Sequence, residues 1–147
     1  MTLSPGDIVE IETPAGLSFL QVTHHHPSYP EVLRVLAGPL PKRPLDLEQL
    51  AQQPSRLVAM FPLSDALLRG ELPGRKIGAA TIPENAVPFP TFRMEIRDKI
   101  DGVRGEVAYW WFWDGDGLTY EAVPRRETDV FPERKVLSRD ELIRRLA

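Results

Sequence analysis

The sequence predicts an α+β fold, mostly antiparallel sheet, with two or three short helices of which one closes the chain. Three observations carry that prediction. Runs of alternating apolar and polar residues are short and separated by Gly-, Pro- and Asp-rich turns, the pattern of half-buried strands. Fifteen prolines, about twice the usual share, fall between these runs and cut the chain into pieces too short for long helices. The one well-formed helical pattern is the last ten residues.

The first strand is Asp7 to Glu12, with Val9 and Ile11 on one side. Thr13-Pro14-Ala15-Gly16 turns the chain, and Leu17 to Thr23 returns so that Leu20 and Val22 join the Val9/Ile11 face. A third run, Val32 to Ala37, ends at Gly38-Pro39. These three make a meander that either closes into an SH3-like barrel or joins a larger sheet. Asp46 is placed to cap a short helix, with Gln49 three residues on and Leu45 able to staple onto Leu50. Arg56 to Phe61 reads as a buried strand. Leu63-Ser64-Asp65 offers a second N-cap, with Gly70 as the residue that stops that helix. Lys76 to Ile82 is a further short strand, Asn85 to Pro90 is extended, and Phe92 to Ile96 is a strand expected to lie beside the opening hairpin.

Val103 to Val123 holds all three tryptophans and two of the three tyrosines. Asp101-Gly102 is a turn into it. Asp114-Gly115-Asp116-Gly117 reverses it, because Gly accepts positive φ and Asp bonds its own backbone. That turn sets Trp113 opposite Leu118, Trp111 opposite Tyr120 and Tyr109 opposite Ala122. Alternation then puts Val107, Tyr109, Trp111, Trp113, Leu118, Tyr120 and Ala122 on a core-facing side, and Trp110 and Phe112 on the other, beside Glu121 and Thr119. At the C-terminus Ser138-Arg139-Asp140-Glu141 is a capping box, Leu137 can staple to Leu142, and Leu142, Ile143 and Leu146 form one apolar stripe. The expected target of that stripe is the Trp110/Phe112 face.

At 147 residues the chain is most simply a single domain, residues 1–147. A net charge of −3, with acids and bases interspersed, provides no basic stripe for nucleic acid. Cysteine is absent, which removes thiolate catalysis, disulfides and Cys-held zinc. MTLSPGDIVEIE has neither the basic start nor the apolar core of a signal peptide, and no apolar run is long enough to span a bilayer. The expected address is the cytoplasm, without a membrane partner.

Candidate chemistry is sparse. His24 and His26 would share a face of an extended segment as a pair of metal ligands, but a third ligand at a recognised spacing is missing. Asp114-Gly-Asp116-Gly resembles the start of a calcium loop and then fails, with Leu118, Thr119 and Arg125 where ligands, Gly and Glu are needed. The carboxylate pairs Glu10/Glu12, Asp98/Asp101 and Asp114/Asp116 lie on turns or outward strand positions and read as solvated. No nucleophile elbow, P-loop or dinucleotide fingerprint occurs. The reading is of a non-enzyme without a cofactor.

A Gly6-Asp7-Ile8 opening into a hairpin, a central strand followed by a short Leu-rich helix, a proline-rich linker, the WWFWDG run (Trp110–Gly115) and a closing Ser138–Leu142 helix start together resemble the bacterial Imm26-like immunity proteins. The resemblance covers Gly6 to about Leu146. It implies a β-rich protein that neutralises a polymorphic toxin by binding it. The cognate toxin is then the expected partner, and Trp110, Asp114, Asp116 and Glu121 the expected contact residues, as carboxylates around an aromatic anchor. Two other readings stand beside it. One is a metal-dependent enzyme or small-ligand binder using His24 and His26. The other is a β-rich adaptor or self-associating module.

Overall fold

The computed structural model describes residues 2–97, 108–121, 132–133 and 135–146, with the backbone alone at 95–97, 108–110 and 120–121. The architecture is α+β, and it divides into two compact units, Met1–Pro88 with Lys135–Ala147, and Phe89–Arg134. Each is described by itself.

In the first unit, β1 (Asp7–Thr13) turns through Pro14-Ala15 into β2 (Gly16–His24), with Val9 opposite Leu20 and Ile11 opposite Ser18. β3 (Val32–Leu40) lies on the far side of β2, β4 (Leu57–Met60) beyond it, and β5 (Gly74–Ala79) on the outer side of β1. The sheet order is β4-β3-β2-β1-β5, antiparallel throughout. The meander thus joins a larger sheet, whose ladder ends at β4 and β5. β3 continues past Gly38-Pro39, where the sequence suggests an end. Gly38 makes this possible: its φ is +132°, and a Cβ there would sit 2.6 Å from the Ser18 Cα. No side chain fits between β2 and β3 at that point.

Both faces of this sheet are buried. One carries the expected set, Val9, Ile11, Leu20 and Val22, with Leu33 and Val35 added from β3. It is covered by α2 (Leu63–Leu68) and α3 (Arg139–Leu146), whose Leu142 and Leu146 are completely buried in the same cluster. The stripe of α3 therefore docks on this sheet, which corrects the expected docking on Trp110 and Phe112. The other face packs Ile8, Phe19 and Leu36 against Leu50 and Ala51 of α1 (Leu47–Ala51). Each such large side chain contributes about 1.5–3 kcal/mol on burial, so this second, smaller layer adds to the first.

The helix ends follow local rules with two exceptions. The Asp46 carboxylate accepts from the Gln49 amide at 3.1 Å, as predicted. Leu45 is fully exposed and does not staple Leu50, which is turned into the second core. α2 begins a residue or two earlier than its predicted Ser/Asp cap. The Glu31 carboxylate instead takes the Leu63 and Ser64 amides, each at 3.1 Å, from thirty residues away. Gly70, φ +70°, follows Arg69, the C-cap of that helix, as expected.

In the second unit, β6 (Phe92–Arg97), β7 (Ala108–Trp113) and β8 (Leu118–Glu121) form an antiparallel sheet in the order β6-β7-β8. β6 pairs with β7, not beside the opening hairpin as the sequence suggests. A strand facing its own aromatic neighbour through six register pairs, Phe92–Trp113 to Arg97–Ala108, fills the available ladder. The β7–β8 register is the predicted one, Trp113 with Leu118 and Trp111 with Tyr120. The Asp98/Asp101 pair, the Asp101-Gly102 turn, Val107 and Ala122 lie outside the described residues.

Candidate functional site

The tip of the β7–β8 hairpin is built by one side chain. Asp114 Oδ1 accepts from the Asp116 amide at 3.0 Å and the Gly117 amide at 2.9 Å, while the Asp114 amide reaches the Gly117 carbonyl at 3.4 Å. Those amides, Gly117 first and Asp116 second, hold the Asp114 carboxyl below the usual carboxylate range. The turn is therefore fixed by a charge-assisted Asx motif, which leaves Asp114 Oδ2 and the exposed Asp116 facing outward. Beneath it Gly115, φ +96°, lies so close to Phe89 that a Cβ would meet the Phe89 ring at 2.8 Å. Phe89 in turn stands edge-on to Trp113 at 5.4 Å, and Trp113 tilts against buried Phe92 at 5.7 Å. A rigid aromatic base thus carries an acidic tip. Gly115→Val is expected to destabilise this unit by about 1–3 kcal/mol, the cost of a strained non-glycine conformation. Tryptophan fluorescence during urea unfolding measures it directly, because all three tryptophans lie here.

Of the predicted contact residues, Asp114 and Asp116 are brought together at this tip. Trp110 is directly opposite Glu121 in the β7–β8 ladder and opposite Glu95 in the β6–β7 ladder. Glu95 escapes sequence reasoning because its position depends on the β6 partner. The side chains of these three residues, and hence the cover of Trp110, lie outside the described set. Trp113 is buried and Trp111 half-buried, but Phe112, assigned to the opposite face, is buried as well. Leu118, assigned to the core side, is 55% exposed. It begins β8 immediately after the turn, and among the described residues β7 is the one strand beside it.

The histidines are engaged by backbone and hydroxyl groups. His24 Nε2 meets the Val87 carbonyl at 2.6 Å and its Nδ1 meets Thr23 Oγ1 at 2.8 Å. A carbonyl only accepts, so that Nε2 carries the proton and is not a metal donor. His25 Nε2 likewise donates to the Leu3 carbonyl at 2.7 Å. His26 Nδ1 accepts the Ser28 amide at 3.0 Å, and its ring stands edge-on to Tyr29. β2 ends at His24, so His26 is not on the strand that the shared-face expectation requires. Among the described residues no cluster of three or more His, Asp or Glu is arranged to hold a metal ion.

Buried charged groups were not legible as such. Glu10, expected to be solvated, is only 3% exposed. Arg43 grips its carboxylate with Nε at 2.6 Å and Nη2 at 3.3 Å, and Arg75 approaches to 3.6 Å. The Arg43 hydrogen bond pulls the Glu10 pKa down, against burial, which raises it. A depressed folded pKa gives stability that is present above the ordinary glutamate range and is lost as pH falls through the depressed value. Glu10→Gln should lower Tm at neutral pH and shrink its gap to the parent as the solution is acidified, in thermal melts run from pH 7 to pH 3. Arg34, 1% exposed, is buried too, as is Asp7.

No protein-family model, curated protein or solved structure matches the chain. No described helix is long and apolar enough to cross a membrane.

Proposed function

We propose that this chain is a non-enzymatic, immunity-type protein of the cytoplasm that binds and neutralises a cognate bacterial toxin through the β7–β8 hairpin tip. The observation that carries the reading is the preformed tip: an Asx-locked turn seated on Phe89 and Trp113, presenting Asp116 and Leu118 outward. A surface already fixed in its binding shape loses little conformational entropy on association. Its carboxylates, Asp114 and Asp116, suit a basic groove such as a toxin uses to hold an anionic substrate. The resemblance of the hairpin and closing-helix motifs to Imm26-like proteins supports the same reading.

The test is co-expression with the toxin encoded beside this chain's gene. The parent chain should restore growth, and the double variant Asp116→Lys/Leu118→Glu, altered only at exposed positions, should not, at unchanged Tm. Full rescue by the double variant would move binding away from the tip. Failure of the parent to rescue would overturn the reading.

A further inference from the structure

The edge of the first unit's sheet carries a second feature that toxin neutralisation at the hairpin does not use. Among the described residues β5 is a terminal strand, with no further strand on its outer backbone edge. Alongside it, α2 and the N-terminal segment enclose a cavity of about 360 Å³. Its floor is apolar: Leu3, Leu67 and Leu68, the last 72% exposed. Gly74 brings the strand this close to the helix, since a Cβ there would meet Leu67 Cδ2 at 3.2 Å and the Glu10 carbonyl at 2.8 Å.

The rim is cationic. Lys76 is opposite Val9 in register, on the side of the leucines, and Arg75 is opposite Glu10, on the other side. Lys76 meets Asp7 Oδ1 at 3.2 Å, while the other Asp7 oxygen accepts the Ser4 amide at 2.7 Å. Arg75 stands 3.6 Å from a Glu10 carboxylate that Arg43 already holds with two N–H groups, and its side chain is 68% exposed. Two guanidiniums share one carboxylate, so Arg75 retains most of its attraction for another. Glu12, which lines a smaller recess with Arg75, repels a carboxylate placed further along the edge.

We infer that the β5 edge with its adjoining groove is a docking site for an extended, acidic segment of a protein partner, in which apolar and acidic residues alternate. Added as a sixth strand, such a segment would make main-chain hydrogen bonds along Gly74–Ala79. Its period of two would send apolar side chains and any carboxylates among them towards Leu67, Leu68 and Lys76, and alternate carboxylates towards Arg75. A second copy of this chain is the poorer occupant, because its β5, Gly74–Ala79, supplies cations and no carboxylate to set against Arg75 and Lys76.

The probe is a fluorescein-labelled, acetylated eight-residue peptide alternating Val and Glu, titrated with the whole chain and followed by anisotropy. The control replaces each Glu by Lys. Saturable binding of the Glu peptide, at least tenfold tighter than that of the Lys peptide, is expected. So is a tenfold or greater loss in Leu68→Glu and in Arg75→Gln, which removes the cation without setting a carboxylate beside Glu10, with thermal melts checking that both variants are folded at the temperature of the titration. Backbone amide shifts confined to Gly74–Ala79 and α2 would place the peptide at this edge. Equal binding of the two peptides, no saturation, or affinity untouched by both substitutions overturns the inference. Sedimentation showing a dimer that Leu68→Glu dissociates also overturns it, in favour of the second copy. None of these outcomes depends on rescue from a toxin, so this site and the hairpin tip stand or fall separately.

Discussion

Arg34→Ala is expected to destabilise the first unit by about 4 kcal/mol, the range for losing a large buried side chain together with its partners' hydrogen bonds. The guanidinium is enclosed and has no carboxylate among its partners. Nε donates to Gln21 Oε1 at 2.9 Å, Nη1 to the Gln53 carbonyl and to Ser55 Oγ, both at 3.1 Å, and Nη2 to the Ala51 carbonyl. Burial pushes its pKa down, yet a group with so high an ordinary value stays charged at neutral pH. The arrangement answers a local need. α1 ends at Ala51, and the last carbonyls of a helix have no partner within it. One planar fork satisfies Ala51 and Gln53 together and ties them to β2 through Gln21, whose Nε2 continues to the Ala80 carbonyl at 3.0 Å. Alanine would leave the Ala51 carbonyl and the Gln21 oxygen buried and without the guanidinium, beside a cavity. Arg34→Met refills the volume only, so it should recover less than half of the loss. Arg34→Lys, a point charge without the fork, should also fall short of the parent. Urea midpoints at constant m-value measure all three. A loss below about 1 kcal/mol for alanine would show that water replaces the guanidinium readily and that the network is not structural.

What could be read from the sequence separates cleanly from what could not. The Asp46 cap, the Ser138–Glu141 box, Gly70 and the Asp114–Gly117 turn involve partners within four residues, and each was predictable from residue chemistry. The pairings Val9–Leu20 and Trp113–Leu118 were legible too, because a turn of known length fixes the register of the strands it joins. Distant contacts escaped. The cap of α2 is Glu31, the partner of β6 is β7, and the apolar stripe of α3 meets β1 to β3. Glu10 and Arg34 alternate with apolar neighbours and so read as outward positions; only a sheet covered on both faces buries them. At the candidate site the turn itself was visible, whereas Phe89 beneath Gly115 and the exposure of Leu118 required the fold. His24 read as half of a ligand pair with His26 for want of its partner, the Val87 carbonyl, which is distant in sequence.

Leu142→Ala, the second large effect, should cost about 3 kcal/mol, as expected for a leucine removed from a site with no solvent access. Ser138→Ala at the same helix should cost only about 1 kcal/mol, the usual value of an N-cap. The contrast tests what holds α3 in place. Its start is locally determined: Ser138 Oγ accepts the Glu141 amide at 3.2 Å, and Glu141 Oε1 accepts the Ser138 amide at 3.4 Å. A hydrogen bond from Lys135, and then those from Ser138, hold the Glu141 carboxyl below its ordinary range. Its share of the box is therefore present above the normal glutamate range and lost on acidification through the depressed value. The rest of the helix depends on the sheet. Leu142 and Leu146 sit among Val9, Leu20 and Val22, and Ser18 of β2 donates to the Leu146 carbonyl at 3.1 Å, closing the helix from below. An eight-residue helix is marginal alone, so losing the docking should release it as a whole. Hydrogen exchange at the amides of 142–146 should accelerate by two orders of magnitude in Leu142→Ala, and by no more than about tenfold in Ser138→Ala. Equal, small effects from both substitutions would mean that local capping rather than the sheet holds α3. The expected imbalance would instead establish that its apolar stripe is held by the sheet of the first unit.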